Sequence, residues 1–289
     1  MGFTGRRSFS RFGEIWCRLT KNKAAMAGLF IVIAVILIAI FSNVLVDYDT
    51  QVVKTNIKDR LTLPCKEYLL GTDELGRDIL SRIIYGSRMS LMIGALGVIF
   101  SLTVGIVFGS LAAFYGGTLE TVIMRICDVF EGLPSFLLAI VITSAFGTSI
   151  FTLMLAITFG SFSSCIRIMR GAVLTVKDQE FIEAAYAMGA NNWQIITYHI
   201  MPNCVATIIV QATLRIGTGI TTASALSFLG LGVQPPDPEW GAMLSSGRQF
   251  LLEAPYLTMF PGLALMITIL AFNMLGDGLR DALDPRLKQ

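Results

Sequence analysis

The sequence predicts an all-α membrane protein with six transmembrane helices. The 289 residues are 54% hydrophobic and only 15% charged, with a mean hydropathy of +0.69. That composition is too apolar for an ordinary soluble domain. The uncharged residues are also collected in long runs separated by polar segments, as membrane-spanning helices require. The net charge of only +2 gives no electrostatic reason to expect nucleic acid as a partner.

The first apolar run, residues 24 to 41, predicts a span that is retained in the membrane. Eleven of its eighteen uncharged residues are Leu, Ile, Val or Phe. At about −0.3 to −0.6 kcal/mol each, these eleven supply roughly −3 to −7 kcal/mol of insertion free energy. A cleaved signal peptide would have a shorter apolar core and a small-residue cleavage site. The preceding residues 5 to 23 carry six Lys or Arg against one Glu.

The remaining spans come from four further apolar runs. Three of them suffice for one helix each: the run between Arg88 and Glu120, residues 204 to 225, and residues 258 to 276. The run between Glu131 and Arg167 has 35 uncharged residues, which is too many for one span of about 20 and too few for two full spans with a turn. The Gly-Thr-Ser break at 147 to 149 predicts two helices there, the first beginning near Val122.

Basic residues in short loops mark the cytoplasmic side of a membrane, and this rule agrees with six spans. With the basic N-terminus inside, six spans place the polar segment 178 to 203 inside, flanked by Arg170 and Lys177. Both termini are then cytoplasmic, and residues 42 to 88 form a long external loop. Five spans would place the polar segment outside.

The stretch EFIEAAYAMGANNWQIITYHIMPN, residues 180 to 203, predicts a helix, a glycine turn and a second short helix. Asp178 is a suitable N-cap, and acidic residues in the first turn favour a helix start. Four apolar residues recur at helical spacing: Phe181, Ala184, Ala185 and Met188. Because the paired alanines allow a close backbone approach, this face can dock into a groove on a partner. The alternative is an amphipathic hairpin on the bilayer surface or against its own bundle.

The second half of this stretch carries the signals for the turn. Gly189 suits a left-handed C-terminal turn, and Asn191 or Asn192 can begin the next helix. That helix should end near Ile200, because Pro202 disfavours its continuation. The single histidine, His199, is interpreted as part of the packing of this segment rather than as a ligand.

The order Glu183-Ala184-Ala185, Gly189 and Ile200-Met201-Pro202 resembles the EAA loop of ABC importer permeases. The one departure is Met-Pro in place of the common Leu-Pro, which should keep an apolar contact. Three longer stretches resemble the dipeptide/oligopeptide/nickel branch, and within it the shorter of the two permease subunits. These stretches are LLGTDELGRDILSRIIYGSRMSL (69 to 91), ALSFLGLGVQPPDPEWGAMLS (225 to 245) and FNMLGDGLRDALDPRLK (272 to 288).

The resemblance implies a type I ABC importer permease fold with a cytoplasmic coupling helix. Residues 1–87 would hold the tail, the first span and an external loop, residues 88–277 a five-helix core with the EAA loop at 178–203, and residues 278–289 a cytoplasmic tail. The residues it assigns to ATPase coupling are Glu183, Ala184, Ala185, Gly189, Ile200 and Pro202.

The resemblance also implies a non-enzymatic subunit of an ATP-driven importer in a bacterial or archaeal cytoplasmic membrane. A homologous second permease subunit would complete the pathway, and an external solute-binding protein would deliver di- or oligopeptides. Two cytoplasmic ATPases would bind ATP and Mg²⁺, so this chain itself would need no cofactor. Nickel or a metal chelate is the alternative cargo.

Arg215 lies in the middle of a predicted span, where its insertion penalty is about 2.5 to 3.5 kcal/mol. Exposure of this side chain to lipid is therefore excluded on energetic grounds. It either lines the transport pathway, where it could attract a peptide carboxylate, or bonds to carbonyls or a neighbouring helix.

The segment LLGTDELGRDILSRIIYGSR, residues 69 to 88, predicts an interfacial helix leading into the second span, with its charged residues largely off the apolar face. Contact with the solute-binding protein is the alternative. The QPPDPEW segment must lie in a loop, because its prolines cannot form regular helix. Trp240 within it is interpreted as an anchor at the outer interface.

Other protein classes are less compatible with the sequence. An intramembrane enzyme would need a nucleophile with a base or a metal cluster, whereas this chain has one histidine and no HExxH, GxSxG or GxxxxGK[ST] motif. The five cysteines show no metal-binding spacing. An ion-coupled secondary transporter is the stronger rival, although it would be expected to show mid-membrane ionisable pairs and internal repeats.

Overall fold

The computed structural model describes residues 11–283. The ends of both predicted cytoplasmic tails, residues 1–10 and 284–289, lie outside the described residues. Within residues 11–283 the chain is almost wholly helical, and the β pairing consists of one isolated antiparallel bridge between Thr72 and Asp78. The all-α fold class is therefore confirmed.

Twelve α-helices follow one another along the described part of the chain. Their bounds are α1 Arg11–Lys21, α2 Lys23–Ile40, α3 Ser42–Leu45, α4 Ile79–Tyr115, α5 Gly117–Glu131, α6 Ser135–Phe146, α7 Ile150–Lys177, α8 Glu180–Ala187, α9 Asn192–Gln194, α10 Met201–Phe228, α11 Trp240–Gly247 and α12 Tyr256–Leu283. The external loop also contains a π-helical segment, Tyr48–Val53, and a 3₁₀ turn, Ile57–Asp59.

Five helices in residues 11–283 are long and apolar enough to cross a membrane: α2, α4, α7, α12 and the continuous helix Asn192–Phe228. The remaining predicted span is a pair, α5 and α6, bent by 84°. With 12 residues, α6 is about 18 Å long, which is shorter than a hydrocarbon core of about 30 Å. The count of six spans therefore holds when this pair is taken as one broken span, and Gly147 separates it from α7 with φ +81°.

Glycines bring the spanning helices into backbone contact. A Cβ at Gly105 or Gly109 of α4 would lie 2.6 Å from atoms of α7, and one at Gly28 of α2 would lie 2.7 Å from the Ala271 carbonyl of α12. Without a strong hydrophobic force between helices in lipid, such close packing is a main source of association. The glycines of the second span, α4, therefore serve its close packing against α7.

The predicted interfacial helix before the second span is wrong, because α4 begins only at Ile79. The Asp73 carboxylate accepts the backbone N–H of Arg77 at 2.9 Å and its guanidinium Nε at 2.7 Å. These bonds close a turn in which Gly76 has φ +73°, a conformation that a helix cannot contain. Asp78 then caps α4.

Three charged residues of this segment, Asp73, Arg77 and Arg82, are buried rather than turned to water. Arg82 donates to the Val52 carbonyl at 2.9 Å and to the Pro236 carbonyl at 3.4 Å, and its Nε lies 3.6 Å from the Asp73 carboxylate. These contacts tie the external loop and the proline-rich loop to the start of α4. Trp240 is also buried, with its Nε1 donating to the Ile83 carbonyl, so its interpretation as an interface anchor is wrong.

Candidate functional site

The polar segment 178–203 folds against the ends of α4 and α7, and its first helix begins one residue later than the sequence suggested. Asp178 ends α7 with φ −93° and ψ 21°, whereas Gln179 has the extended conformation that an N-cap requires, φ −90° and ψ 146°. Asp178 as the N-cap is therefore wrong. The preceding Lys177 donates its Nζ to the Ala113 and Phe114 carbonyls at the end of α4.

The glycine turn after α8 is a complete Schellman motif. Gly189 has φ +85°, its N–H donates to the Tyr186 carbonyl at 2.9 Å, and the Ala190 N–H donates to the Ala185 carbonyl at 3.1 Å. This pairing satisfies the last carbonyls of α8 and needs a left-handed residue, which glycine adopts most easily. The predicted left-handed turn at Gly189 is confirmed.

The second helix begins with a capping box. The Asn191 side chain accepts the Gln194 N–H at 2.8 Å, and the Gln194 side chain accepts the Asn191 N–H at 2.9 Å. Two helix-start donors are thereby satisfied within four residues. The predicted start of the second helix at Asn191 or Asn192 is confirmed.

The expected break before Pro202 is wrong, because one helix of 37 residues runs from Asn192 to Phe228. A π-helical stretch, Ile195–Ile200, precedes the proline. The wider π turn is one known way to accommodate a residue that has no N–H and whose ring would clash with the preceding turn. The Asn203 side chain also donates to the His199 carbonyl at 2.6 Å. The polar segment and the fifth membrane span are therefore one continuous element, which we call the elbow helix, Asn192–Phe228.

One face of this region is buried against the bundle. A single apolar cluster joins the ends of α4 and α7 to α8 and to the start of the elbow helix. Its fully buried members include Ile182, Ala185, Ile195 and Ile200. Ala185 therefore faces the chain's own bundle, which corrects the expectation that both alanines lie on one docking face. The pair Ala185 and Ile200 meets in this cluster.

The opposite face is exposed. Of the residues that the sequence assigned to coupling, Glu183, Ala184, Gly189 and Pro202 are exposed. Beside them lie large side chains on the surface: Phe181, Met188, Trp193 and Tyr198. We call this set of four large residues with Ala184 the elbow surface. The exposed fractions of Met188, 81%, and Trp193, 68%, are high for apolar residues of this size, and an exposed apolar patch is typical of an interaction site. Sequence reasoning missed Trp193 and Tyr198, although aromatic residues in a polar segment were a usable signal.

Ion pairs join α5, the first helix of the broken span, to α7. Arg170 of α7 donates its Nε to Glu120 of α5 at 2.6 Å. One turn earlier, Arg167 bonds Asp128 at 2.7 Å and Glu131 at 3.0 Å. These partly exposed pairs connect the whole length of α5 to the second half of α7.

Arg215 lies at the middle of α10 and faces a cavity of about 250 Å³ between α6, α7 and α10. Its Nε is buried and has no hydrogen-bond partner among residues 11–283. The salt bridges of that part of the chain also leave its guanidinium without a carboxylate. Of the two interpretations of Arg215, bonding to carbonyls or to a neighbouring helix finds no support in this geometry.

Comparison with known proteins agrees with this architecture. Residues 105–289 match the family described as "binding-protein-dependent transport system inner membrane component", and residues 10–64 match the "N-terminal TM domain of oligopeptide transport permease C". The dipeptide transport system permease protein DppC of Alkalihalophilus pseudofirmus is 46% identical over 96% of this chain and 91% of its own length. The glutathione transport system permease protein GsiD of Pectobacterium atrosepticum is 44% identical over 95% of this chain and 91% of its own length.

Among solved structures, an inward-facing MetNI methionine ABC transporter chain is similar, with a TM-score of 0.57 and 18% identity over 70% of this chain and 97% of that chain. At this identity the likeness concerns the fold alone, and it supports the predicted permease architecture. The matches to the family and to curated relatives extend over most of the sequence, including the spans, the polar segment 178–203 and the external loop. The chain therefore belongs to the family of binding-protein-dependent transport system inner membrane components.

Proposed function

We propose that this chain is the membrane-spanning permease subunit of an ATP-driven importer of di- and oligopeptides. The observation that carries the proposal is the arrangement of α8 and the elbow helix. The elbow surface lies on both, and the glycine turn joins α8 to the elbow helix, which is one continuous membrane-spanning element. The relatives, a dipeptide permease and a glutathione permease, support a peptide as cargo.

The proposed assembly contains four further proteins. A homologous second permease subunit completes the pathway, two ATPases hold ATP and Mg²⁺ on the cytoplasmic side, and an external solute-binding protein delivers peptide. This chain hydrolyses nothing itself. Both termini and the elbow lie in the cytoplasm, and the loop between α2 and α4 faces outward, because the positive-inside rule then holds for the basic segments at both ends.

In this proposal the elbow surface is the ATPase contact, and the buried face transmits the motion. Ala184 lets the partner approach the α8 backbone, Glu183 supplies a charged contact beside it, and Gly189 fixes the angle between the two arms. Ala185 and Ile200 contact no ATPase but lock α8 to the elbow helix, and Pro202 positions the start of the span. Closure of the ATPases would then tilt the elbow helix and α7, exposing the pathway to the other side.

Co-purification of the ATPase subunits with tagged permease tests the coupling role. Met188→Asp places a charge on the elbow surface, where desolvation on docking would be unfavourable, and we expect at least a tenfold loss of bound ATPase. Thr175→Asp is the matched control. Thr175, near the end of α7, is also exposed but lies outside the elbow surface. Equal ATPase recovery with both variants, or protease mapping that places residues 178–203 outside the cell, would refute the assignment.

Uptake by a deletion strain complemented with this chain tests the cargo and the energy source. We expect labelled dipeptide to accumulate and unlabelled di- and tripeptides to compete, whereas nickel salts should not. Depletion of ATP should stop uptake even when the ion gradients are held constant. Uptake that follows an ion gradient and persists without ATP would favour a secondary transporter and overturn the proposal.

A further inference from the structure

The cavity beside Arg215 is large enough for solvent or a small polar group. It is lined by residues of α6, α7 and α10, among them Ser135, Ser161, Thr218 and Thr222. A volume of about 250 Å³ is well above the minimum that one water molecule needs. Arg215 is 14 residues from Met201 and 13 from Phe228, so it lies about 20 Å from either end of α10. Arg215 therefore places a positive charge beside the cavity, near the middle of the span.

The polar groups around this cation offer acceptors and no second charge. Thr218 donates its hydroxyl to the Arg215 carbonyl at 2.8 Å, Thr222 to the Thr218 carbonyl at 3.0 Å, and Ser161 to the Ile157 carbonyl at 2.7 Å. Because their protons are used within the helices, these hydroxyls present lone pairs to the cavity. The guanidinium is thus the one strong donor among the residues named here.

We propose that this cavity binds the carboxylate of the peptide in transit, with Arg215 as the group that holds it. This inference rests on the proposed importer function and adds the transient site inside the membrane. Guanidinium recognises carboxylate through two parallel N–H···O bonds, which fix the orientation of the bound group as well as attracting its charge. The hydroxyls of Thr218, Thr222 and Ser161 can accept N–H groups of the same peptide.

The site is suited to transient occupancy. A carboxylate held permanently by this chain would neutralise Arg215 and remove its attraction for cargo, yet residues 11–283 supply no such partner. Conduction through a membrane requires a site that is favourable enough to enter and weak enough to leave. A single cation surrounded by hydroxyls, rather than a full cage of charged ligands, meets both conditions. The rival occupant is a carboxylate of the second permease subunit.

Thiol modification in the assembled transporter measures the charge of the cavity. Thr218→Cys places a thiol one helical turn from Arg215, about 5 to 6 Å away. In the Arg215 background an anionic methanethiosulfonate should react faster than a cationic one. Adding Arg215→Gln should lower that anionic-to-cationic rate ratio about tenfold. Thr121→Cys is the control, because Thr121 is an exposed threonine of α5 whose hydroxyl also bonds within its helix; its ratio should not respond to Arg215→Gln.

Peptide uptake and ATP hydrolysis in proteoliposomes, with loaded binding protein, complete the test. Arg215→Gln should lower dipeptide uptake at least tenfold while binding-protein-stimulated ATP hydrolysis persists. Arg215→Lys should give intermediate uptake, because the charge remains but the two parallel N–H···O bonds are lost. Saturating dipeptide should slow modification of Thr218→Cys.

Three results would overturn the proposal: wild-type uptake by Arg215→Gln, no anionic preference at Thr218→Cys even with Arg215 intact, or loss of the second permease subunit from the purified Arg215→Gln complex. Loss of the second permease subunit would indicate that a carboxylate of that subunit, rather than of the peptide, pairs with Arg215. If Arg215→Gln is not inserted in the membrane at all, the reagent preference measured with Arg215 present still decides the question. Failure of the importer function itself would appear differently, as ATP-independent uptake in the unsubstituted protein.

Discussion

Replacement of Gly189 by valine is expected to abolish transport while the protein remains inserted in the membrane. Gly189 has φ +85°, and a Cβ built there meets nothing within 4 Å. The penalty for a side chain is therefore conformational rather than steric. It is confined to the turn between α8 and the elbow helix, so the apolar burial of the membrane spans is unchanged.

The size of the free-energy penalty for Gly189→Val follows from the backbone conformation at Gly189. A non-glycine residue in the left-handed region costs about 1 to 2 kcal/mol, and a strained, β-branched residue reaches about 3 kcal/mol. Relaxing that strain would break the two turn bonds made by the Gly189 and Ala190 N–H groups, each worth about 1 kcal/mol. At 1.4 kcal/mol per tenfold, a penalty of 2 to 3 kcal/mol lowers the population of the native elbow roughly 30- to 150-fold relative to opened forms.

A series of substitutions separates strain from other effects. Asparagine tolerates the left-handed region better than alanine, and alanine better than valine. We therefore expect ATP-dependent dipeptide uptake per inserted permease to fall in the order Gly189, Asn, Ala, Val. Quantitative immunoblotting of membranes gives the denominator, and co-purified ATPase reports docking. The matched control is Gly171→Val, because Gly171 is also open to added atoms but has no left-handed φ.

Two outcomes would refute this reasoning about the elbow. One is normal uptake by well-inserted Gly189→Val, which would mean that the turn angle does not matter for coupling. The other is an order in which alanine is better tolerated than asparagine, which would mean that the left-handed conformation is not the property under test.

Three further predictions concern buried contacts. Glu239 is fully buried and accepts bonds from Ser90, Ser224 and a backbone N–H of α11, so Glu239→Gln should destabilise the detergent-purified protein by about 1 to 3 kcal/mol in thermal unfolding, and a melting temperature equal to wild type would contradict it. Burial and a hydrogen bond to Asp237 raise the pKa of Tyr48 to about 12 from 10.0, so this contact is fully present below pH 10 and is lost as the pH rises from 10 to 12. Proteolysis of the external loop should increase across that window, and Tyr48→Phe should abolish this pH step. Lys177→Met leaves the Ala113 and Phe114 carbonyls of α4 without their donor, so hydrogen exchange at the end of α4 should quicken at least fivefold, whereas the exposed Thr175→Met should change nothing there.

Local signals in the sequence predicted the local structure well. The left-handed turn at Gly189 and the helix start at Asn191 depend on side chains within a few residues, and both are present. The five long spans follow from apolar runs whose insertion energy dominates any other preference. Pro202 was misjudged because its effect depends on the preceding turns, where a π-helical stretch admits it.

Features that depend on distant partners could not be predicted from the sequence. Whether Ala185 faces a partner protein or its own bundle is decided by packing against the ends of α4 and α7, and α4 lies far away along the chain. The charges before the second span were expected in water, but Asp73, Arg77 and Arg82 are buried because the external loop folds over them. Periodicity records how residues repeat on one helix, and it carries no information about which side of that helix is covered.

The continuous elbow helix connects the two candidate sites mechanically. It crosses α4 where Gly219 and Gly94 meet, since a Cβ at Gly219 would lie 2.9 Å from the Gly94 carbonyl. We take this close contact, which the Ile220 and Val98 side chains flank, as the pivot for a tilt. Asn192 is 27 residues from the pivot and Arg215 only four, which correspond to about 40 Å and 6 Å at 1.5 Å per residue. A tilt of about 10° would thus move the elbow end by roughly 7 Å and Arg215 by roughly 1 Å. In the proposed importer, a large movement of the ATPases would be reduced at Arg215 to a displacement on the scale of one hydrogen bond. Such a displacement would be enough to break a bidentate contact to a carboxylate and too small to disrupt the surrounding packing. A helix broken at Pro202 would have absorbed the movement before it reached the cavity.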